Sequence, residues 1–395
     1  MSLRRMAGLS LALLAAAGSA STQSRTTGPV ATYWMTAQTS VGMPSMSGGA
    51  SRMAMLSAMA SGGAAQQSLL LQLGSSQAPD GRPQAEHLAP AGLGAGPRLP
   101  LTVKPPQPDG EADPVDEMPT GMPRLLIYFG CGHDTRGRQP VTVRLDQDGA
   151  RQLASIMSAH RIDKPNPPSA NNSRTYAEWP SARGRPQTPS GSLVGEHLVK
   201  GNYSPDIRFS LDASQDFLAP LQLTGLGQAG PTRVGWNAIP HAKGYLVTTM
   251  GQNEAGDMVV WSSSESAAFP MHIPDLLSPA DLVRLQGART VLPASATSCA
   301  IPTAVTTAAP DSLLRVIAYG GETNIAWPPR PTQPGAVWNV ESVVKVRYNS
   351  TAGAILSMGA DEAGEEGAAP PSPLDILPGG QAARALGSAL GRFRR

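Results

Sequence analysis

The sequence predicts a mainly β protein: a β-sandwich-like body with two short helices, flanked by long disordered N-terminal and C-terminal segments. Three observations predict it. Between about residues 121 and 355 the apolar residues fall into short runs, several strictly alternating, which is the period of a strand with one face on a core. Two stretches of that span carry helical spacing instead. Outside it the chain is dominated by small residues, Pro and Met, and the 395-residue sequence holds 42 glycines and 38 prolines.

The first twenty residues explain where such a chain would fold. Arg4 and Arg5 form a basic start, Leu9 to Ala17 a short apolar core, and Gly18-Ser19-Ala20 a small-residue exit. That order is the pattern of an export signal. The apolar stretch is shorter than the roughly 20 residues a membrane span needs, and no other segment is long and apolar enough. Cleavage near Ala20 would place the mature chain in an oxidising compartment, periplasmic or extracellular. The Ala, Gly, Pro and Arg usage suits a bacterial source.

Residues 21–120 read as a low-complexity, Met/Gly/Pro-rich segment, mostly disordered. Its small side chains bury too little area to offset about 1–2 kcal/mol of backbone entropy per residue. Two islands, Ala31–Met35 and Leu69–Leu73, are expected to order against the body. Six methionines lie close together: Met35, Met43, Met46, Met53, Met55 and Met59. Soft thioethers at such spacing select Cu(I), so copper handling is the alternative reading of this segment. The run holds no His, and compositional bias alone generates such spacings. The plainer reading, no cofactor, is preferred.

The body begins with Arg124–Phe129, an apolar run ending at Gly130 that reads as a buried strand. Gln139–Leu145 alternates and would return beside it. Leu153, Ile156, Met157 and His160 are spaced as one short helix. Residues 163–192 read as a Pro-punctuated loop carrying Tyr176 and Trp179, and Ile207–Leu211 alternates again. Ser278-Pro279-Ala280-Asp281 combines a cap, Pro at the first helical position and an acid in the first turn, so a second helix starts there. Leu313–Tyr319 and Ser342–Tyr348 are the last strong strands. A body of this length hides about 70–75% of its unfolded surface and needs no metal to fold.

Leu221 and Leu223 lead to Thr232-Arg233-Val234-Gly235-Trp236, a short turn with Pro240, then Ala242-Lys243-Gly244-Tyr245-Leu246-Val247. This order resembles the Trp…Ala-x-x-Tyr strand pair of fibronectin type III modules over about residues 221–265, with looser strands to 275. The resemblance implies a sandwich in which Trp236 and Tyr245 are core residues, and a role as scaffold or binding surface. The helix after Ser278 departs from that pattern. The chain as a whole also resembles exported bacterial proteins.

Candidate chemistry is sparse. Gly130-Cys131-Gly132-His133-Asp134 sits in a turn where Cys131 and His133 could hold a soft metal with Met118 or Met122, or act as nucleophile and base. The preferred reading pairs Cys131 with Cys299, the other cysteine, since a lone pair in an exported protein usually bonds. Glu196-His197 and the Asp212/Asp216 pair could serve as acid–base groups, with structural duty preferred. A Gly-x-Ser-x-Gly elbow, a His-Glu-x-x-His helix and a P-loop are all absent from the sequence. The balance of 31 basic and 29 acidic residues excludes nucleic-acid binding by overall field, and Arg183-Gly184-Arg185 is too sparse to carry it.

The tail, 356–395, is acidic and then basic. Leu386, Leu390 and Phe393 share a helical face beside terminal arginines, a segment that could touch an anionic membrane surface, although a frayed tail is preferred. The sequence thus points to an exported non-enzymatic module that binds an envelope or extracellular protein or ligand. Periplasmic copper handling is the first alternative and an unfamiliar hydrolase the second.

Overall fold

A computed structural model of the chain describes residues 28–42, 64–106 and 124–357, except 145, 164, 182–188, 227–231 and 334. In chain order the strands and α-helices are β1 (Ala31–Val41), β2 (Gln66–Ser75), β3 (Ala85–Leu88), β4 (Arg98–Val103), β5 (Leu125–Phe129), β6 (Val141–Val143), α1 (Gln147–Ala159), β7 (Thr175–Trp179), β8 (Gly195–Gly201) and β9 (Ser204–Leu211). They continue with β10 (Leu223–Thr224), β11 (Arg233–Trp236), β12 (Gly244–Gln252), β13 (Met258–Ser262), α2 (Pro279–Gly287), β14 (Leu292–Pro293), β15 (Ser298–Ala300), α3 (Thr303–Ala308), β16 (Leu313–Trp327) and β17 (Ser342–Ile355). The protein is mainly β, as its alternation predicts. The two expected helices are α1 and α2; α3, a six-residue Thr- and Ala-rich turn of helix, is a third that the spacing did not signal.

Fourteen strands form one sheet in the order β6-β5-β13-β12-β16-β17-β1-β2-β7-β4-β3-β8-β9, with β14 attached to β12. A second sheet has the order β10-β11-β15. The β1-to-β9 half of the large sheet curls onto itself. Strands six places apart in a flat sheet stand about 29 Å apart at ~4.8 Å per strand, yet the ring of Tyr33 on β1 lies 6.2 Å from that of Phe209 on β9. Alternation explains what fills the inside: Tyr33, Met35, Ala37, Leu69, Leu71 and Leu73 share one core with Leu99, Val199, Ile207 and Phe209.

The other half is covered on both faces, so its strands read as continuous apolar runs. Tyr245 and Val247 of β12 face the main core, while Leu246 packs with Leu282 and Leu285 of α2. Leu125, Ile127 and Val260 pack with Leu153 of α1. α2 starts at the cap read from the sequence, Ser278, and α1 starts at Asp146, a cap the spacing alone did not mark. Asp146 accepts from the Gly149 N–H at 2.8 Å, and Ser278 Oγ accepts from the Asp281 N–H at 3.1 Å.

The folded body extends further toward the N-terminus than expected. The segment 21–120, read as mostly disordered, contributes β1, β2, β3 and β4. The Ala31–Met35 island runs on to Val41, pairing in parallel with β17 along its whole length and antiparallel with β2. A strand with partners on both sides needs little apolar area of its own, because its backbone bonds are satisfied and one face suffices. For the same reason β7, inside the expected loop 163–192, sits between β2 and β4. Among the described residues, no helix is long and apolar enough to cross a membrane.

Candidate functional sites

Cys131 and Cys299 are bonded, with sulfurs 2.10 Å and Cα atoms 5.3 Å apart. The bond ties the turn after β5 to β15, joining the large sheet to the small one. Backbone bonds run alongside it: Gly132 N–H donates to Ala300 O at 2.9 Å, and Thr303 N–H to His133 O at 2.9 Å. A bonded sulfur is neither a nucleophile nor a thiolate ligand, so the turn loses both reactive readings of Cys131. His133 points to the exposed surface. Among the described residues no group of three His, Cys, Asp or Glu side chains could hold a metal ion. Met43, Met46, Met53, Met55 and Met59, with Met118 and Met122, lie outside the described residues, as do Arg183, Arg185 and the tail. Met35 is a core residue of β1, fully buried, and is therefore no part of a thioether cluster.

Trp236 on β11 and Tyr245 on β12 belong to opposing sheets and meet in the core, ring centroids 5.5 Å apart at 47°. The Tyr245 hydroxyl accepts from the Ile239 N–H at 3.1 Å, holding the Pro240 turn closed.

The acid–base candidates are occupied with structural bonds. Asp216 accepts from Ser192 Oγ at 2.6 Å, from the Leu193 N–H at 2.8 Å and from the Phe217 N–H at 2.7 Å. Asp212 accepts from the hydroxyl and the N–H of Ser214, and those bonds hold its carboxyl below the usual range. Glu196 is exposed while His197, its neighbour on β8, faces the core.

His197 belongs to a cluster assembled from three strands distant along the chain. The Tyr33 hydroxyl lies 2.5 Å from His87 Nδ1, His87 Nε2 2.9 Å from His197 Nδ1, and His197 Nε2 2.7 Å from Leu193 O. Phe209 stacks on His197 at 4.8 Å, nearly parallel. Tyr33 and His87 are 0% exposed and His197 2%. Burial, with His197 beside it, pushes the His87 imidazole down to about 3. Burial also lowers His197, opposed by Leu193 O and Glu196, and raises the Tyr33 phenol. The one hint in the sequence was strand parity, since His197 shares the inward phase of Val199.

At the surface, the end of β16 and the loop that follows it present Trp327 and Val337, both more than half exposed. Trp338 beside them is fixed by its indole N–H on Pro328 O at 2.9 Å, with the Arg330 guanidinium 5.7 Å from its ring. At the far side of the sheet Arg124 grips the Asp257 carboxylate at 2.7 Å, and this pairing holds that carboxyl down to about 2. No family model, no curated protein and no solved structure matches the chain.

Proposed function

We propose that the protein is an exported, non-enzymatic module whose β-rich body binds an envelope or extracellular partner. The observation that carries this reading is the strand arrangement around Trp236 and Tyr245. Sheet β10-β11-β15 faces the neighbours β13-β12-β16-β17 of the large sheet, with the two aromatic rings between them. Such an order, reached from Leu221 onward, favours a fibronectin type III-like unit with α2 and β14 inserted before β15. Its parallel pairs then become additions to both edges of that unit: β5 alongside β13 and β1 alongside β17. A unit of this kind serves as a scaffold that presents connecting loops; the exposed Trp327 ends β16 and the exposed Val337 stands on the loop that follows it.

Two further features support the reading. The side chains best suited to acid–base work are committed to turns and core contacts. The export signal and the Cys131–Cys299 bond agree on an oxidising compartment. Expression of the full chain with a C-terminal tag in a bacterial host, followed by fractionation and N-terminal sequencing, tests it. The expected product starts near residue 21, lies in the periplasm or medium, and has no free thiol. Full-length protein in the cytosol with Met1 retained and both thiols reduced would overturn the proposal. Photo-crosslinking from position 327, with exposed Val283 on α2 as the control position, tests the binding face. Equal labelling from both positions would remove the β16–β17 connection from it.

A further inference from the structure

We infer that Tyr33, His87 and His197 form an acid-released latch, which holds β1 against β3 and β8 only while both imidazoles are neutral. The hydrogen bonds fix every proton. A carbonyl oxygen only accepts, so His197 Nε2 donates to Leu193 O. Neutral His197 then has a bare Nδ1, which accepts from His87 Nε2–H. His87 Nδ1 is bare in turn and accepts from the Tyr33 hydroxyl. The three groups form a one-way chain in which each donor and acceptor is used once.

A further proton has no place in this chain. On His197 Nδ1 it would point at the Nε2–H of His87. On His87 Nδ1 it would turn the Tyr33 hydroxyl around and leave the phenol proton without an acceptor in the core. Among the described residues, no neighbouring element supplies a buried counter-charge. On β3, Glu86 takes the opposite face and pairs with Arg98 of β4. On β8, Glu196 and Lys200 are exposed, and on β9, Asp206 and Arg208 are exposed while Phe209 fills the inside. Behind Leu193, Asp216 is only partly buried and its bonds go to Ser192, Leu193 and Phe217, not to either imidazole. β2 and β4 offer leucines, Leu71, Leu73, Leu99 and Leu101, to the same core. An imidazolium here would therefore be a buried, unpaired charge.

The fold also contains the seam at which the latch would release. Strands β4, β3, β8 and β9 hang from the rest of the large sheet through β4 and β7, which pair at two positions, Thr102 with Glu178 and Val103 with Ala177. Across the interior, Tyr33 on β1 grips His87 on β3. Protonation becomes possible once the layers part, so acid drives the opening. Below the ordinary imidazole value of about 6.5, each histidine raises the open fraction up to about ten-fold per pH unit, and the pair up to about a hundred-fold.

Hydrogen–deuterium exchange of the full chain between about pH 7.5 and pH 5 tests this, with rates corrected for intrinsic exchange. The expected result is an opening constant for β3, β8 and β9 that rises at least about ten-fold per unit below about pH 6.5, with β16 and β17 unchanged. His87→Gln/His197→Gln should remove that slope. A pH-independent opening in the native protein, or the same slope in the double variant, overturns the latch. Should the variant fail to fold, imidazole NMR of the native protein at about pH 5.5 decides. Two neutral Nε2–H rings support the latch, and a protonated ring within the closed fold refutes it.

Discussion

Replacing both cysteines by serine should destabilise the protein by several kcal/mol while leaving its fold intact. The bond spans a sequence separation of 168 residues, the greater part of the body. On the loop-entropy account, a closed loop of that size removes about 17 cal/mol/K from the unfolded chain, or about 5 kcal/mol at 25 °C. That is an upper figure, because a compact unfolded chain has less freedom to lose. Local geometry should survive the change, since the Gly132–Ala300 and Thr303–His133 backbone bonds are independent of sulfur. Urea unfolding is the assay. With a slope near 3 kcal/mol/M for a body of this size, the midpoint of Cys131→Ser/Cys299→Ser should fall by about 1–1.5 M. Native protein with reductant should follow the variant. A shift under about 1 kcal/mol, or a midpoint indifferent to reductant, would refute the reasoning and leave the sulfurs free for other chemistry.

Other outcomes follow from single contacts. Trp236→Ala should cost about 3–5 kcal/mol by the cavity it leaves between the sheets. Trp236→Phe should cost far less, because the buried indole N–H has no partner among the described residues to lose; thermal unfolding of the two variants checks the contrast. Ser278→Ala removes the α2 cap and should cost about 1 kcal/mol, read by urea unfolding. Asp257, held down to about 2 by Arg124, contributes stability that is complete above the ordinary carboxylate value and is lost as pH falls from about 4 toward 2. In acid titrations followed by circular dichroism, Asp257→Asn should be less stable at neutral pH and should lack that part of the acid limb; an unchanged limb would count against the Arg124 pairing.

The elements that the sequence made legible are those set by neighbours along the chain. Ser278 and Pro279 announce α2 within one turn, and the Leu153 spacing announces α1. Trp236 and Tyr245 lie nine residues apart on strands joined by a tight turn, so their meeting was readable. The cysteine pair was readable because each sulfur had one possible partner. β1 and β7 were harder. Thr36, Gln38 and Ser40 look like low-complexity sequence when read singly, yet they take the outer phase of a strand held on both sides.

Neighbours along the chain settled only local features: the strand-forming phase of the body, the spacing of α1, the start of α2, the aromatic pair and the sulfur partner. Tertiary structure alone decided that β1 would lie parallel to β17, that half of a fourteen-stranded sheet would curl inward, and that Tyr33, His87 and His197 would share their protons. Propensity and capping act over a few residues, so they leave a mark in the order of the amino acids. Strand pairing is made by backbone groups that every residue carries, and which strand finds which is settled only when the whole core is buried.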